Sequence, residues 1–181
     1  KIINDPKEAQ SQIESAQREA KAAFGSSVVF LEKYLNRAKH IEFQIFGDST
    51  GKVQHFYDRE CSVQRRHQKI IEEALSPSLT PELRQQMGQT AELMGSLVGY
   101  KSAGTVEFMV QDNQFYLLEV NTRLQVEHPV TEMVLGIDLV KAQILTASGE
   151  FVFGANTART PLGHSIECRV YAENPYMGGI P

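Results

Sequence analysis

An α+β fold, an antiparallel sheet with flanking helices, is what the sequence predicts. Three observations lead there: capped segments with helical periodicity, short segments of alternating or continuous apolar character, and two of those segments placed as a hairpin. The first helix opens at Asp5-Pro6-Lys7-Glu8, which supplies an N-cap, a proline at the first helical position and a capping-box acid. Ala9, Ile13, Ala16 and Ala20 then recur on one face until Gly25 closes the helix. Residues 28–32 and 40–46 read as strands, the second setting His40, Glu42 and Gln44 against Ile41, Phe43 and Ile45. Asp48-Ser49-Thr50-Gly51 forms the turn into a third strand over 52–57. Thr80-Pro81-Glu82 starts a second helix whose Leu83, Met87, Ala91 and Met94 face inward, and Gly99 stops it. Residues 105–110 and 115–120 follow as the hairpin, then helical segments from about 131 to 148. Beyond Gly149 the character changes to a loop with Asn156 and Pro161 and then a strand over 165–172, which places a domain boundary between roughly 149 and 163.

At 181 residues and 41% hydrophobic content, the chain holds one sizeable core, or one domain and part of another. A net charge of -4 and a pI of about 5.8 provide no global field to recruit nucleic acid. Cys61 and Cys168 are the only cysteines and neither sits in a C-x-x-C, which argues against a zinc site or disulfide scaffold and for a reducing compartment. No apolar stretch reaches the length of a membrane span, and no signal peptide is legible ahead of the fold. The sequence starts at Lys1 and ends on Gly178-Gly179-Ile180-Pro181, and is expected to be a piece of a longer polypeptide.

Residues 115–132 read FYLLEVNTRLQVEHPVTE. A continuous apolar run is followed by Glu119, Asn121, Arg123, Gln125 and Glu127 at every second position, a face that either meets water or converges on a charged ligand. Glu107 lies in the first hairpin strand and Glu119 in the second, so loop parity decides whether they share a face. A two-residue loop at Asp112-Asn113 sets them on opposite faces. A three-residue loop, Gln111-Asp112-Asn113 with Asn113 left-handed, sets them on the same face. Two buried carboxylates repel unless a cation sits between them, and Glu, Glu and Asn form an oxygen set suited to magnesium or manganese. The metal-site reading therefore predicts the three-residue loop; solvent-facing acids on a half-exposed hairpin are the alternative.

Residues 59–73, RECSVQRRHQKIIEE, set Arg65, Arg66, His67 and Lys69 together in an acidic chain. No interleaved aromatics stand there to stack bases, whereas a compact group of donors suits a small oxyanion or nucleotide phosphates. A lysine meets such groups as a point charge, and Arg123 can grip a planar carboxylate or bicarbonate with two parallel hydrogen bonds.

With EKYL at 32–35, HIEFQ at 40–44, RECSVQRRHQK at 59–69, AGTVEF at 103–108, LEVNTRLQVEHPVTEM at 118–133 and IECRVYAENP at 166–175, the chain resembles biotin carboxylase, the ATP-grasp component of biotin-dependent carboxylases, over nearly its whole length. The resemblance implies that ATP phosphorylates bicarbonate to carboxyphosphate and that biotin on a carrier is then carboxylated. It makes 1–149 a partial ATP-grasp domain, the C-terminal subdomain of that fold, 150–162 a linker and 163–181 the start of the biotin carboxylase C-terminal domain. It implies ATP, Mg2+ or Mn2+, and biotin as cofactors. Glu32, Lys33, Tyr34 and Leu35 become the linker strand that reads adenine; His40, Gln64 and His67 become nucleotide contacts. Glu107, Glu119 and Asn121 become metal ligands, the two acids also holding ATP through the metal. Lys69, Arg123, Gln125 and Val126 resemble the bicarbonate pocket, Glu127 the general base, and Arg169 the residue that stabilises the ureido oxygen of biotin. Catalysis would then rest on Lys69, Arg123, Glu127 and Arg169.

The same resemblance implies a biotin carboxyl carrier domain or protein and a carboxyltransferase component as partners, a homo-oligomer, and a cytoplasmic or mitochondrial-matrix location, with no role for nucleic acid or membrane. Members carry an N-terminal domain, a phosphate-binding lysine and a glycine-rich lid ahead of this stretch, so alone it is expected to be inactive or nearly so. Rival readings are another ATP-grasp ligase, such as the large chain of carbamoyl-phosphate synthetase, and a non-catalytic nucleotide-binding module. Arg169 and the RRHQK block favour biotin carboxylase over the first; intact Glu107, Glu119, Asn121 and Arg123 favour it over the second.

Overall fold

The computed structural model describes residues 1–150, 152–153 and 160–177, which form two compact units, Lys1–Asn36 and Arg37–Pro181. In the first, a 3-10 turn at Pro6–Glu8 runs into helix α1, Ala9–Phe24. The Asp5 side chain accepts from the Lys7 N–H at 2.9 Å, and Gly25 ends the helix in the left-handed region at φ 74°. Glu8 makes no side-chain cap bond, so the reciprocal half of the capping box does not form. Residues 28–32 form no strand, a correction to the sequence reading: Val28, Phe30 and Leu31 are exposed, and an extended segment without a ladder partner is not a strand.

The second unit is built on a six-stranded antiparallel sheet in the order β5-β4-β1-β2-β3-β6. The strands are β1 Lys39–Gly47, β2 Val53–Arg65, β3 Gln68–Ala74, β4 Ser102–Gln111, β5 Gln114–Asn121 and β6 Ser165–Cys168. Alternation in β1 sets the layers. Ile41, Phe43 and Ile45 pack with Val106 and Phe108 against Leu83, Met87 and Ala91 of helix α2, Pro81–Leu97. On the other face Phe46, Phe56 and Ala103 meet Val130, Val134 and Leu135 of α3, His128–Leu135, and Leu139 and Ala142 of α4, Leu139–Ala147. Two glycines let α2 lie close to β2: a Cβ at Gly88 would stand 2.6 Å from the His55 ring, and one at Gly95 2.8 Å from Val53. The predicted helical stretch 131–148 is two helices, broken at Gly136 in the left-handed region and restarted by Asp138, whose side chain accepts from the Lys141 N–H at 2.7 Å.

Three departures from the sequence reading bear on the site. Strand β2 runs on from Tyr57 to Arg65, because Asp58, Arg59 and Glu60 are buried despite their polarity and pair in the sheet. Arg66 and His67 then make a two-residue turn into β3, both with positive φ, the twist that a tight hairpin requires. The β4–β5 turn is also two residues long, with Gln111 opposite Gln114 and both Asp112 and Asn113 left-handed, so the expected three-residue loop is absent. The ladder instead slips by one residue between Glu107 and Phe108: Phe108 faces Leu117 and Glu107 faces Glu119, leaving Leu118 as a bulge. That bulge supplies the odd residue the turn lacks, and the two acids share a face. Finally, the strand expected over 165–172 is limited to Ser165–Cys168, which pairs with β3 in the same sheet; Asn156 lies outside the described residues.

Candidate active site

Arg59 of β2, Glu42 of β1, Glu107 of β4 and Glu119 of β5 stand opposite one another in register, one row across four strands. Like charges directly opposite destabilise a sheet, so consecutive carboxylates in a row demand cations. Arg59 is one. It has no exposed surface, and all five of its donors are satisfied. Nε donates to Glu42 Oε1 at 2.5 Å; Nη1 donates to Gln44 Oε1 at 2.8 Å and Thr131 Oγ1 at 3.0 Å; Nη2 donates to Thr105 Oγ1 at 3.2 Å and Gln125 Oε1 at 3.4 Å. Burial works against its charge, but the nearby Glu42 and Glu127 carboxylates raise its pKa.

Lys69 is the second cation. From β3 its Nζ donates to Glu42 Oε2 at 2.5 Å, Glu127 Oε1 at 2.6 Å and Glu107 Oε1 at 3.0 Å, which uses its three ammonium protons. Burial opposes this charge too, and Glu42 and Glu127 outweigh it. Glu107 also accepts from the Gln125 amide at 2.8 Å and the Asn121 amide at 2.9 Å, and bonds His40 Nε2 at 2.6 Å. The Gln64 amide meets His40 Nδ1 at 2.8 Å, which leaves the ring proton on Nε2 to donate to Glu107. Burial alone would raise the Glu107 pKa, but the His40 hydrogen bond and the Lys69 ammonium hold it down at about 2.

Glu127, just ahead of α3, is buried and accepts from Arg169 Nη2 at 2.9 Å with the oxygen that Lys69 leaves free. Burial raises its pKa and the Lys69 and Arg59 charges pull it down further, so it is held ionised. Asn121 Nδ2 donates to both Glu107 Oε1 at 2.9 Å and Glu119 Oε1 at 3.2 Å, so the two acids converge on one point beside an amide. With that amide turned to present Oδ1, the three side chains make an oxygen set fit for Mg2+ or Mn2+. Ligand atoms of His40, Glu42 and Glu107 also lie within 4.8 Å of one another.

Lys69, Glu107, Glu127 and Asn121 open onto a cavity of about 800 Å³. His40, Gln64, His67, Lys69, Glu107, Glu119, Asn121, Arg123, Gln125, Val126, Glu127 and Arg169 all border it. Arg65 and Arg66 of the basic stretch do not: Arg65 pairs with Glu173, and Arg66 stands in the β2–β3 turn. Glu32, Lys33, Tyr34 and Leu35 belong to the other compact unit and have no regular secondary structure, so the expected linker strand is not formed. The polar ladder is not one strand either. β5 stops at Asn121, and Arg123, Gln125 and Glu127 reach the cavity from the turn before α3. Glu119 and Arg123 are exposed, while Gln125 and Glu127 are buried. Gln125 spends its side chain bridging Arg59 and Glu107, and among the described residues Arg123 makes only long contacts, 3.3 Å to the Leu124 carbonyl and 3.5 Å to Asn121 Oδ1.

Sequence reasoning missed Glu42, Gln44, Arg59, Thr105 and Thr131, which form one buried hydrogen-bonded network around Arg59, and Glu72, which grips Arg169. The alternation of Glu42 and Gln44 in β1 marked a polar face, but that pattern does not distinguish a solvated face from a buried network.

Glu107 gives the metal-free protein a defined acid sensitivity. A carboxyl depressed from 4.5 to about 2 on folding contributes stability that is present above pH 4.5 and is lost as the pH falls toward 2. The stability difference between the wild-type chain and Glu107→Gln, followed by urea denaturation, should therefore shrink steadily below pH 4.5. A difference independent of pH across that window would show that Glu107 gains nothing from being ionised.

A family described as the carbamoyl-phosphate synthase L chain, ATP binding domain, matches residues 1–152. A pyruvate carboxylase polypeptide of Methanothermobacter thermautotrophicus is 54% identical over 169 residues, 93% of this chain and 34% of that relative. Among solved structures, the biotin carboxylase domain of a thermophilic 2-oxoglutarate carboxylase, bound to bicarbonate, superposes with a TM-score of 0.89 at 46% identity, covering 98% of this chain and 40% of that one. The Campylobacter jejuni biotin carboxylase in complex with β-γ-ATP gives 0.87 at 43% identity, covering 96% of this chain and 39% of that one. The chain thus spans about a third of the length of the pyruvate carboxylase polypeptide.

Proposed function

The chain belongs to the family of carbamoyl-phosphate synthase L chain ATP-binding domains, and from that premise we propose that the protein it forms part of carboxylates biotin, using ATP and bicarbonate by way of carboxyphosphate. The observation that carries this reading is the row Arg59–Glu42–Glu107–Glu119, closed by Lys69 at a cavity that Glu127 and Arg169 also border. The carboxylase names among the relatives and neighbours support biotin over carbamoyl phosphate as the end of the pathway.

Glu107, Glu119 and Asn121 would hold Mg2+ or Mn2+, which supplies the charge that neutralises phosphate oxygens for in-line transfer. His40, Gln64 and His67 would face the nucleotide, with adenine read by the backbone of Glu32, Lys33, Tyr34 and Leu35. Bicarbonate would meet Lys69, Arg123, Gln125 and the Val126 backbone. An anion placed there shares the Lys69 charge that depresses Glu127, and so raises the basicity of Glu127 as it takes the bicarbonate proton. Arg169 would stabilise the ureido oxygen of biotin as negative charge develops on it. A biotin carrier, a carboxyltransferase component and a homo-oligomeric assembly complete the proposal, with residues 163–181 opening the domain that follows. Among the described residues no helix is long and apolar enough to cross a membrane.

The test is made on the full-length protein. Bicarbonate-dependent ATP cleavage should be stimulated by free biotin, and Arg169→Gln should depress biotin carboxylation by about 100-fold while biotin-independent ATP cleavage stays within a few-fold. Ammonia-dependent carbamoyl phosphate formation without biotin stimulation would overturn the reading.

A further inference from the structure

We propose that Glu72 is a positioning residue for Arg169, gripping one edge of its guanidinium so that the opposite edge faces the cavity. The inference rests on the reading of Arg169 given above and extends it to a residue outside the cavity wall. Glu72 lies in β3 with no exposed surface. Its Oε1 accepts from Arg169 Nε at 2.5 Å and stands 2.5 Å from Nη2; its Oε2 is buried with no hydrogen-bond partner among the described residues. The same Nη2 donates to Glu127 Oε2 at 2.9 Å. The Nε–Nη2 edge is therefore fully engaged, and Nη1 has no acceptor among the described residues.

The backbone sets this arrangement in place. Arg169 N–H donates to the Ile70 carbonyl at 2.9 Å directly after β6, and Glu72 pairs across the ladder with Glu167. A buried carboxylate opposite a second acid is unfavourable in a sheet unless a cation answers it, and Arg169 is the cation that does. Of the two carboxylates on Arg169, Glu127 changes its protonation in the proposed cycle and cannot serve as a constant anchor. Glu72 does not border the cavity and takes no part in proton transfer, so it can hold the guanidinium while Glu127 changes charge. The Nη1 donors of Arg169, which borders the cavity, are then left unspent for a developing oxyanion.

The experiment compares Glu72→Ala and Glu72→Gln, each alone and with Arg169→Gln, in the full-length protein. Glu72→Ala should lower kcat for biotin carboxylation by roughly 10- to 100-fold, with biotin-independent ATP cleavage changed less than about threefold. Glu72→Gln keeps an acceptor oxygen for Nε and should recover most of the lost rate. Glu72→Ala combined with Arg169→Gln should be no slower than Arg169→Gln alone, because the two act as one unit. Where the alanine variant does not fold, Glu72→Asp carries the same comparison, keeping the charge but drawing it back by one methylene. Equal losses in both assays, or losses that multiply in the double variant, would overturn the inference and leave Glu72 as a support of the fold. A steep loss in Arg169→Gln beside an unimpaired Glu72→Ala overturns the positioning role alone. An unimpaired Arg169→Gln overturns the reading of Arg169, and the role of Glu72 falls with it.

Discussion

Arg59→Met should destabilise the folded protein by about 3–5 kcal/mol, the usual effect of removing one partner from a buried ion pair. Methionine fills much of the volume but leaves Glu42 with Lys69 as its one remaining cation among the described residues, and it strips donors from Gln44, Thr131, Thr105 and Gln125. Arg59→Lys should rescue little, because an ammonium cannot present five donors in a plane. Thermal denaturation followed by circular dichroism reads the effect as a fall of order ten degrees in Tm. A loss under about 1 kcal/mol would mean that the acceptors around Arg59 find other partners, and that the guanidinium is not what holds the row together.

Glu127→Gln in the full-length protein should lower bicarbonate-dependent ATP cleavage by about 100- to 10,000-fold, the range general-base removal covers, with ATP affinity nearly unchanged. Glutamine preserves the shape, and its carbonyl oxygen can still accept from Lys69 or Arg169, but it cannot take a proton. Single-turnover cleavage and equilibrium nucleotide binding separate the two quantities. Weakened ATP binding with normal turnover would place Glu127 among the nucleotide contacts and end its assignment as base.

Local chemistry was the legible part of this sequence. The caps at Asp5 and Thr80, the stop at Gly25, and the inward stripe of Leu83, Met87 and Ala91 each depend on neighbours a few residues away. What stayed hidden depends on which strands lie side by side. A polar residue at every second position looks the same whether its face meets water or another layer, so Glu42 and Gln44 gave no sign that Arg59 sat beside them at 0% exposure. The shared face of Glu107 and Glu119 follows from the sequence only through the wrong device. Parity points to the turn, whereas the chain adjusts it at Leu118, inside an apolar run with no glycine or proline to mark a bulge. The residues of the polar ladder do converge, but on the cavity and not on one strand, because Arg123, Gln125 and Glu127 arrive from the turn that leads into α3.

The cluster around Lys69 also bears on how the molecule is made. Its bonds join residues 17, 27, 38, 58 and 97 positions apart, from Arg59–Glu42 out to Arg169–Glu72. No two of these side chains are sequence neighbours, so none of the ion pairs can nucleate structure; each must wait for a long loop to close and for the strands to find their order. Until then the carboxylates stay hydrated and repel one another. The apolar layers against α2 and α3 are expected to assemble first and the charges to lock in late, so Arg59→Met should speed unfolding more than it slows folding, which stopped-flow kinetics would measure. On that expectation the cluster is a latch, setting how slowly the finished protein comes apart more than how quickly it forms.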